Sequence, residues 1–163
     1  METIVLERVV PSVFAAAPKA VEGSEIWLRE VTFRRGVRYL VEAASGAGKS
    51  SLCSFLYGIR DDYEGTIRFD ATDSRSLSVG GWRDLRRRSL GLLFQELRLF
   101  EELTVWENIA LKNDLTRFHT AERIERMLDA ARIADKRDVA AGRLSVGQQQ
   151  RVAFIRALCQ PLD

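Results

Sequence analysis

Cysteine, proline and histidine are scarce in this 163-residue chain, at 2, 3 and 1 copies. Two cysteines cannot build a disulfide framework. Cys53 and Cys159 each fall in an apolar helical pattern, where a free cysteine is expected as a small buried hydrophobe. Few prolines with 11 glycines argue against a collagen repeat or a Pro-rich linker. No apolar run approaches the ~18 residues of a membrane span. The start, Met1-Glu2-Thr3-Ile4, has an early acid and no apolar core of a signal peptide. An excess of one charge is also missing. Lys plus Arg number 25 against 23 Asp plus Glu, a net charge of +2, so no nucleic-acid partner is expected. What remains is an ordinary globular balance, for one domain with at most one added subdomain. The expectation is a soluble chain in a reducing compartment, the cytoplasm.

Along the chain, Ile4–Leu6 reads as a strand that resumes over 9–14 after a break at Pro11. The stretch 15–23 reads as a loop around Pro18. Further strands are expected at 31–33, 37–41 and 66–69, with Arg35-Gly36 as a turn. The continuous apolar run 90–94 predicts a strand buried on both faces. Leu52, Phe55, Leu56 and Ile59 share one face of a helix that ends near Gly58. Residues 82–88 form a basic helix bearing Arg83, Arg86, Arg87 and Arg88, read as a solvated face. Beyond Thr104 the pattern is almost wholly helical. Thr104 and Glu107 have capping-box spacing, Thr120 precedes another helix, and Ser145 with Gln148 opens the last one.

Residues 43–50 read Ala43-Ala44-Ser45-Gly46-Ala47-Gly48-Lys49-Ser50. The final Gly-Lys-Ser fits the Walker A phosphate loop, and Ala43 stands where the first glycine is usual. Such a loop turns backbone N–H groups toward phosphate oxygens and adds the positive end of a helix dipole. Lys49 is placed for the β- and γ-phosphates and Ser50 for Mg²⁺, with Ser45, Gly46, Ala47, Gly48 and Ser51 completing the cradle. Glu42, just upstream, is an unfavourable charge there unless it points away or pairs. The helix start at Ser145-Val146-Gly147-Gln148 offers a second anion-ready terminus, or simply a well-capped helix.

With further motifs in order, the chain resembles the nucleotide-binding domain of ABC transporters. Gln95, within Leu92-Leu93-Phe94-Gln95-Glu96, resembles the Q-loop. Leu103-Thr104-Val105-Trp106-Glu107-Asn108 is similar to the family's L-T-V-x-E-N. Leu144-Ser145-Val146-Gly147-Gln148 resembles the LSGGQ signature, and Arg156-Ala157-Leu158 followed by Pro161 resembles the lead-in to Walker B. Residues 86–111 are closest in style to the lipoprotein-release, macrolide-export and cell-division branch.

The resemblance implies an α/β P-loop fold of ABC type: a mixed-sheet core over 1–95, a helical subdomain over 96–148, and a returning helix over 149–163. It implies ATP and Mg²⁺ as ligands and an ATP-binding subunit coupled to a transmembrane permease at the inner face of the membrane. Two such domains pair head to tail, each ATP lying between one copy's phosphate loop and the other's Ser145, Gly147 and Gln148. Gln95 then faces Mg²⁺ and the attacking water. Phe14 is the candidate for stacking on adenine, with plain core packing as the alternative. Trp106 and Leu103 are read as core or as permease contacts.

Three departures stand out. Ala43 and Val146 replace glycines. His119 sits between helices, away from the switch position, and is expected in an exposed loop. The sequence stops at Asp163, ahead of the strand that carries the Walker B Asp-Glu pair, so the C-terminal strands of the sheet and the general base are expected to be missing. Nucleotide binding without turnover, in a regulatory module, is therefore one alternative; a different P-loop enzyme, such as a small-molecule kinase, is another.

Overall fold

The computed structural model describes residues 1–16 and 21–163; the expected loop around Pro18 thus lies partly outside the described residues. The chain divides into two compact units, Met1–Arg86 with Asp163, and Arg87–Leu162.

The first unit is built on a four-stranded antiparallel sheet of order β2-β1-β3-β4. Its strands are β1 (Thr3–Pro11), β2 (Glu30–Arg34), β3 (Tyr63–Phe69) and β4 (Thr72–Asp73). β1 runs through to Pro11 without the expected break. Its irregularity lies earlier, where the register with β3 shifts between Glu7 and Val10. There Arg8 takes φ 52°, and Gly65 on β3 faces it. A Cβ on Gly65 would lie 2.4 Å from the Arg8 carbonyl oxygen, so the bulge demands glycine opposite it. The short helix α1 (Ser12–Ala15) follows β1, and α2 (Lys49–Leu56) follows the phosphate loop. Leu6 and residues 9–11 of β1, and Tyr63, Ile67 and Phe69 of β3, are buried, as are Trp27, Leu52 and Phe55. Phe55 sits centrally, its ring 5.0 Å from Tyr63 and 6.4 Å from Trp27.

Two expected strands do not form. Residues 37–41 take no regular secondary structure and pair with no strand among the described residues, and Leu40 is 83% exposed. Residues 90–94 likewise join no strand among the described residues, and they are half-buried or exposed rather than buried on both faces. Both are apolar runs of the parallel type, which needs neighbours on either side. None of the described strands offers one, and the sheet that does form is antiparallel throughout. Cys53 also departs from expectation, because it lies on the exposed face of α2.

Helix α3 (Val79–Arg88) carries the chain from the first unit to the second. Its arginines are only partly free to meet a partner. Arg86 stacks near Tyr57 and Trp82 and donates to the Tyr57 carbonyl at 3.3 Å, and Arg87 donates to the Leu115 carbonyl.

The second unit is helical: α4 (Val105–Asn113), α5 (Ala121–Ala130) and α6 (Val146–Leu158). Val105 and Ile109 of α4, Ile124 and Leu128 of α5, and Val152 and Ile155 of α6 form one buried cluster with Ile133, Leu144 and Cys159. Burial pushes the Cys159 thiol up to about 11, so it is an inert packing group. The expected capping boxes are present at Thr104–Glu107 and at Ser145–Gln148. The hydrogen bonds from Thr104 hold the Glu107 carboxyl below its ordinary range. Trp106 packs against the cluster under the guanidinium of Arg137, 4.2 Å from its ring centroid, a core-edge role. His119 is half-buried rather than fully exposed, held in its turn by two hydrogen bonds with the Asn113 amide, each 3.0 Å. No helix among the described residues is long and apolar enough to cross a membrane.

Candidate functional site

In the first unit, residues 45–48 form a tight turn that opens α2. Gly48 is the N-cap residue with φ 92° and no side-chain cap. The first-turn N–H groups of α2 are thus left to meet a ligand, as an anion site requires. A Cβ at Gly48 would stand 3.0 Å from Trp27 Cζ2 and 3.3 Å from Phe14 Cε2. The structure therefore brings Phe14 to the loop, as the stacking and packing readings both require. Gly46, also at positive φ, faces open space.

Lys49 folds back over its own loop. Its Nζ donates to the carbonyl of Ala43 and, at 2.9 Å, to that of Ala44. The ammonium thus sits at the loop's mouth, held by neutral acceptors that an anionic oxygen can replace. Ser45 and Ser50 are exposed, whereas the Ser51 hydroxyl accepts from Arg60 at 3.2 Å. Glu42 is exposed and lines a pocket of about 290 Å³ together with Lys49, Ala47, Trp27 and residues 21–26.

Sequence reasoning missed Trp27. It is buried, and its indole N–H donates to the Ala47 carbonyl at 2.9 Å. Ser24 accepts the Trp27 backbone N–H at 2.9 Å and so fixes the approach of that segment. No motif announces Trp27; its only signal is a large aromatic in a small, polar stretch.

In the second unit, Ser145 caps α6. Its hydroxyl accepts the Gln148 N–H at 3.4 Å, and Gln148 Oε1 accepts the Ser145 N–H at 3.0 Å. Nothing lies within 4 Å of a Cβ built on Gly147, and Val146 is 68% exposed. Val146 therefore points to solvent and does not crowd the helix start. Gln95 lies in an exposed turn, and it shares with Gly147 a pocket of about 640 Å³, floored by Phe94, Gln150 and Phe154. The two candidate ligand-facing elements of this unit thus open onto one cavity. Asn108, quoted in the sequence only as part of a motif, is fully buried. Its amide donates to the carbonyls of Phe100, Leu103 and Thr104 at 2.9–3.2 Å and accepts the Phe100 N–H.

The sequence profile of the family described as ABC transporter matches residues 29–163. The chain belongs to the ABC transporter family. It is 36% identical over 166 residues to the methionine import ATP-binding protein MetN 2 of Burkholderia mallei, an alignment covering 88% of this chain and 42% of that one. It is 37% identical over 126 residues to the lipoprotein-releasing system ATP-binding protein LolD of Syntrophotalea carbinolica, covering 76% of this chain and 56% of that one. Among solved structures, a bacterial Atm1-family ABC exporter with ATP bound superimposes with a TM-score of 0.75 at 25% identity, covering 98% of this chain and 28% of that one. The chain spans about half the length of the curated relatives it matches. The fold is accordingly the α/β P-loop fold of ABC cassettes, here with an antiparallel sheet and a helical unit.

Proposed function

We propose that this chain is the ATP-binding part of an ABC transporter subunit, coupling ATP binding to a transmembrane permease. The observation that carries the reading is the left-handed Gly48 at the head of α2, which leaves the helix start uncapped beside an ammonium held only by carbonyls. These residues fit the phosphates of a nucleotide. Ser45, Gly46, Ala47, Gly48 and Ser51 form the cradle around the phosphates, the Ala47 N–H giving up its bond to the Ala44 carbonyl. Lys49 takes the phosphate oxygens, and the exposed Ser50 hydroxyl is the candidate Mg²⁺ contact. Mg²⁺, when bound, supplies charge neutralisation of the phosphates. Phe14 is proposed for the adenine ring, and Gln95 for the metal- and water-facing role that its place in the motif order suggests.

Ser145, Gly147 and Gln148 are proposed to meet the γ-phosphate of ATP held by a second such domain, packed head to tail. The open Gly147 and the solvent-directed Val146 support that reading. The functional division follows the motifs: core over 1–95, helical signature region over 96–148, returning helix over 149–163. Through the permease the protein is placed at the inner face of the membrane.

Calorimetric titration with Mg²⁺-ATP tests the reading. Uptake by the wild-type chain and its loss in Lys49→Ala, with melting unchanged, is the expected result; equal uptake by both refutes it. Phosphate release measured on the same samples separates binding from turnover.

A further inference from the structure

Directly after Gln95 the backbone takes an unusual path. Leu97 and Arg98 are consecutive non-glycine residues with left-handed φ values of 57° and 49°. Such a pair persists only where the surroundings hold it. Local hydrogen bonds close the turn, from Leu97 N–H to Phe94 O at 3.1 Å and from Arg98 N–H to Glu96 O at 2.6 Å. The Arg98 guanidinium lies over the Phe94 ring, 3.9 Å from its centroid.

What grips this turn from outside is Arg156, in the last turn of α6. Its Nη2 donates to the Leu97 carbonyl at 2.6 Å and its Nη1 to the Arg98 carbonyl at 2.7 Å. The planar guanidinium fork spans both carbonyls, which a single ammonium cannot do. Among the described residues no carboxylate pairs with Arg156, and the half-buried Lys112 repels it. Its hydrogen-bond partners are the two carbonyls, and burial pushes the guanidinium below its usual range. A surface arginine placed for charge alone has no reason to be buried in this way.

We propose that Arg156 is the positioning residue of Gln95, fastening the strained turn behind it to the helix whose opposite end carries Ser145 and Gly147. The two elements that open onto one cavity of the second unit then move as a single piece. This proposal rests on the reading of Gln95 as the metal-facing group.

Two measurements on the 163-residue chain test it. In Arg156→Gln, amide exchange at Leu97 and Arg98 should accelerate at least about tenfold, while Ile109 and Val152 in the buried cluster keep their protection. Arg156→Lys, which keeps charge without the fork, should fall between the two and serves if the glutamine variant does not fold. The second measurement is the ratio of ATP affinity with Mg²⁺ to that in EDTA. Arg156→Gln should reduce this ratio roughly tenfold, as Gln95→Ala should, with the Mg²⁺-free affinity unchanged. The double variant should lose no more than either single one. A merely structural role would weaken both affinities together. Unchanged exchange at residues 97 and 98, or additive losses in the double variant, overturns the proposal. A ratio indifferent to Gln95→Ala removes the metal-facing role itself and the positioning role with it, whatever the exchange rates.

Discussion

Trp27 donates its indole N–H to the carbonyl of Ala47 at 2.9 Å, and the edge of its ring closes over Gly48. The tie pulls the phosphate loop onto the aromatic cluster of Trp27, Phe55 and Tyr63 at the centre of the first unit. Loop shape is thereby set by packing, while the start of α2 stays without a side-chain cap. Trp27→Phe keeps most of the packing and loses the hydrogen bond, which contributes about 0.5–1.5 kcal/mol. The expected outcome is a small drop in melting temperature with a several-fold loss of Mg²⁺-ATP affinity. Full affinity in the variant would show that the loop holds its shape without the indole.

Gly48 is the most constrained position of that loop. A left-handed backbone costs a non-glycine residue roughly 1–2 kcal/mol, and a Cβ would press on Trp27 at 3.0 Å. Gly48→Ala should therefore lower stability by about 1–3 kcal/mol in urea denaturation and weaken nucleotide uptake further than Trp27→Phe. Gly46→Ala meets no neighbour and should show the conformational cost alone.

How legible all this was depended on the range of the interactions. The helix starts at Ser145 and Thr104 were readable because capping is local, closed within three residues. The Gly48-Lys49-Ser50 turn was readable for the same reason. The strands expected at 37–41 and 90–94 were not, because an apolar run reports a wish to be buried and not the presence of neighbours. Trp27, and the grip of Arg156 on the turn after Gln95, were invisible for a related reason. Each acts on a backbone carbonyl far along the chain, 20 residues away at Ala47 and 59 at Leu97, and a carbonyl leaves no mark in the side-chain pattern. Asn108 was in view as part of a motif, but its role as a buried hub needs the fold.

Asn108 joins α4 to the loop in front of it through four hydrogen bonds and is 0% exposed. Asn108→Ala leaves the Phe100 N–H and three carbonyls without this partner. The expected loss is about 2–4 kcal/mol, read from chemical denaturation. Asn108→Asp keeps the acceptor for the Phe100 N–H but sets a carboxylate against three carbonyls, and should be at least as damaging at neutral pH.

The cap at Ser145 and the proposed phosphate contact at Ser145 can be separated. Ser145→Ala should remove about 0.5–2 kcal/mol of stability, and Ser145→Gly only a few tenths. If the hydroxyl also meets a neighbouring domain's phosphate, both variants should lose nucleotide-driven dimerisation equally, despite their different stabilities. Sedimentation velocity with and without Mg²⁺-ATP makes the comparison. Dimerisation that tracks stability instead would assign Ser145 to capping alone.

Asp70 supplies a pH-dependent term at the sheet. It sits between β3 and β4 with φ 52°, and its Oδ1 accepts the Glu2 and Thr3 N–H groups at 2.8 Å each. Those backbone donors, the Thr3 one foremost, hold its carboxyl below the ordinary 3.8. A folded value lower than the unfolded one means that the carboxylate stabilises the native state above the unfolded value. That contribution is lost as pH falls through the folded value. The urea midpoint of the wild-type chain should therefore drop between pH 5 and pH 3 by more than that of Asp70→Asn. The asparagine side chain keeps an acceptor oxygen but does not titrate, so the difference between the two pH profiles isolates this one carboxylate. Parallel profiles would mean that the start of β1 is held by its ladder to β3 and not by Asp70.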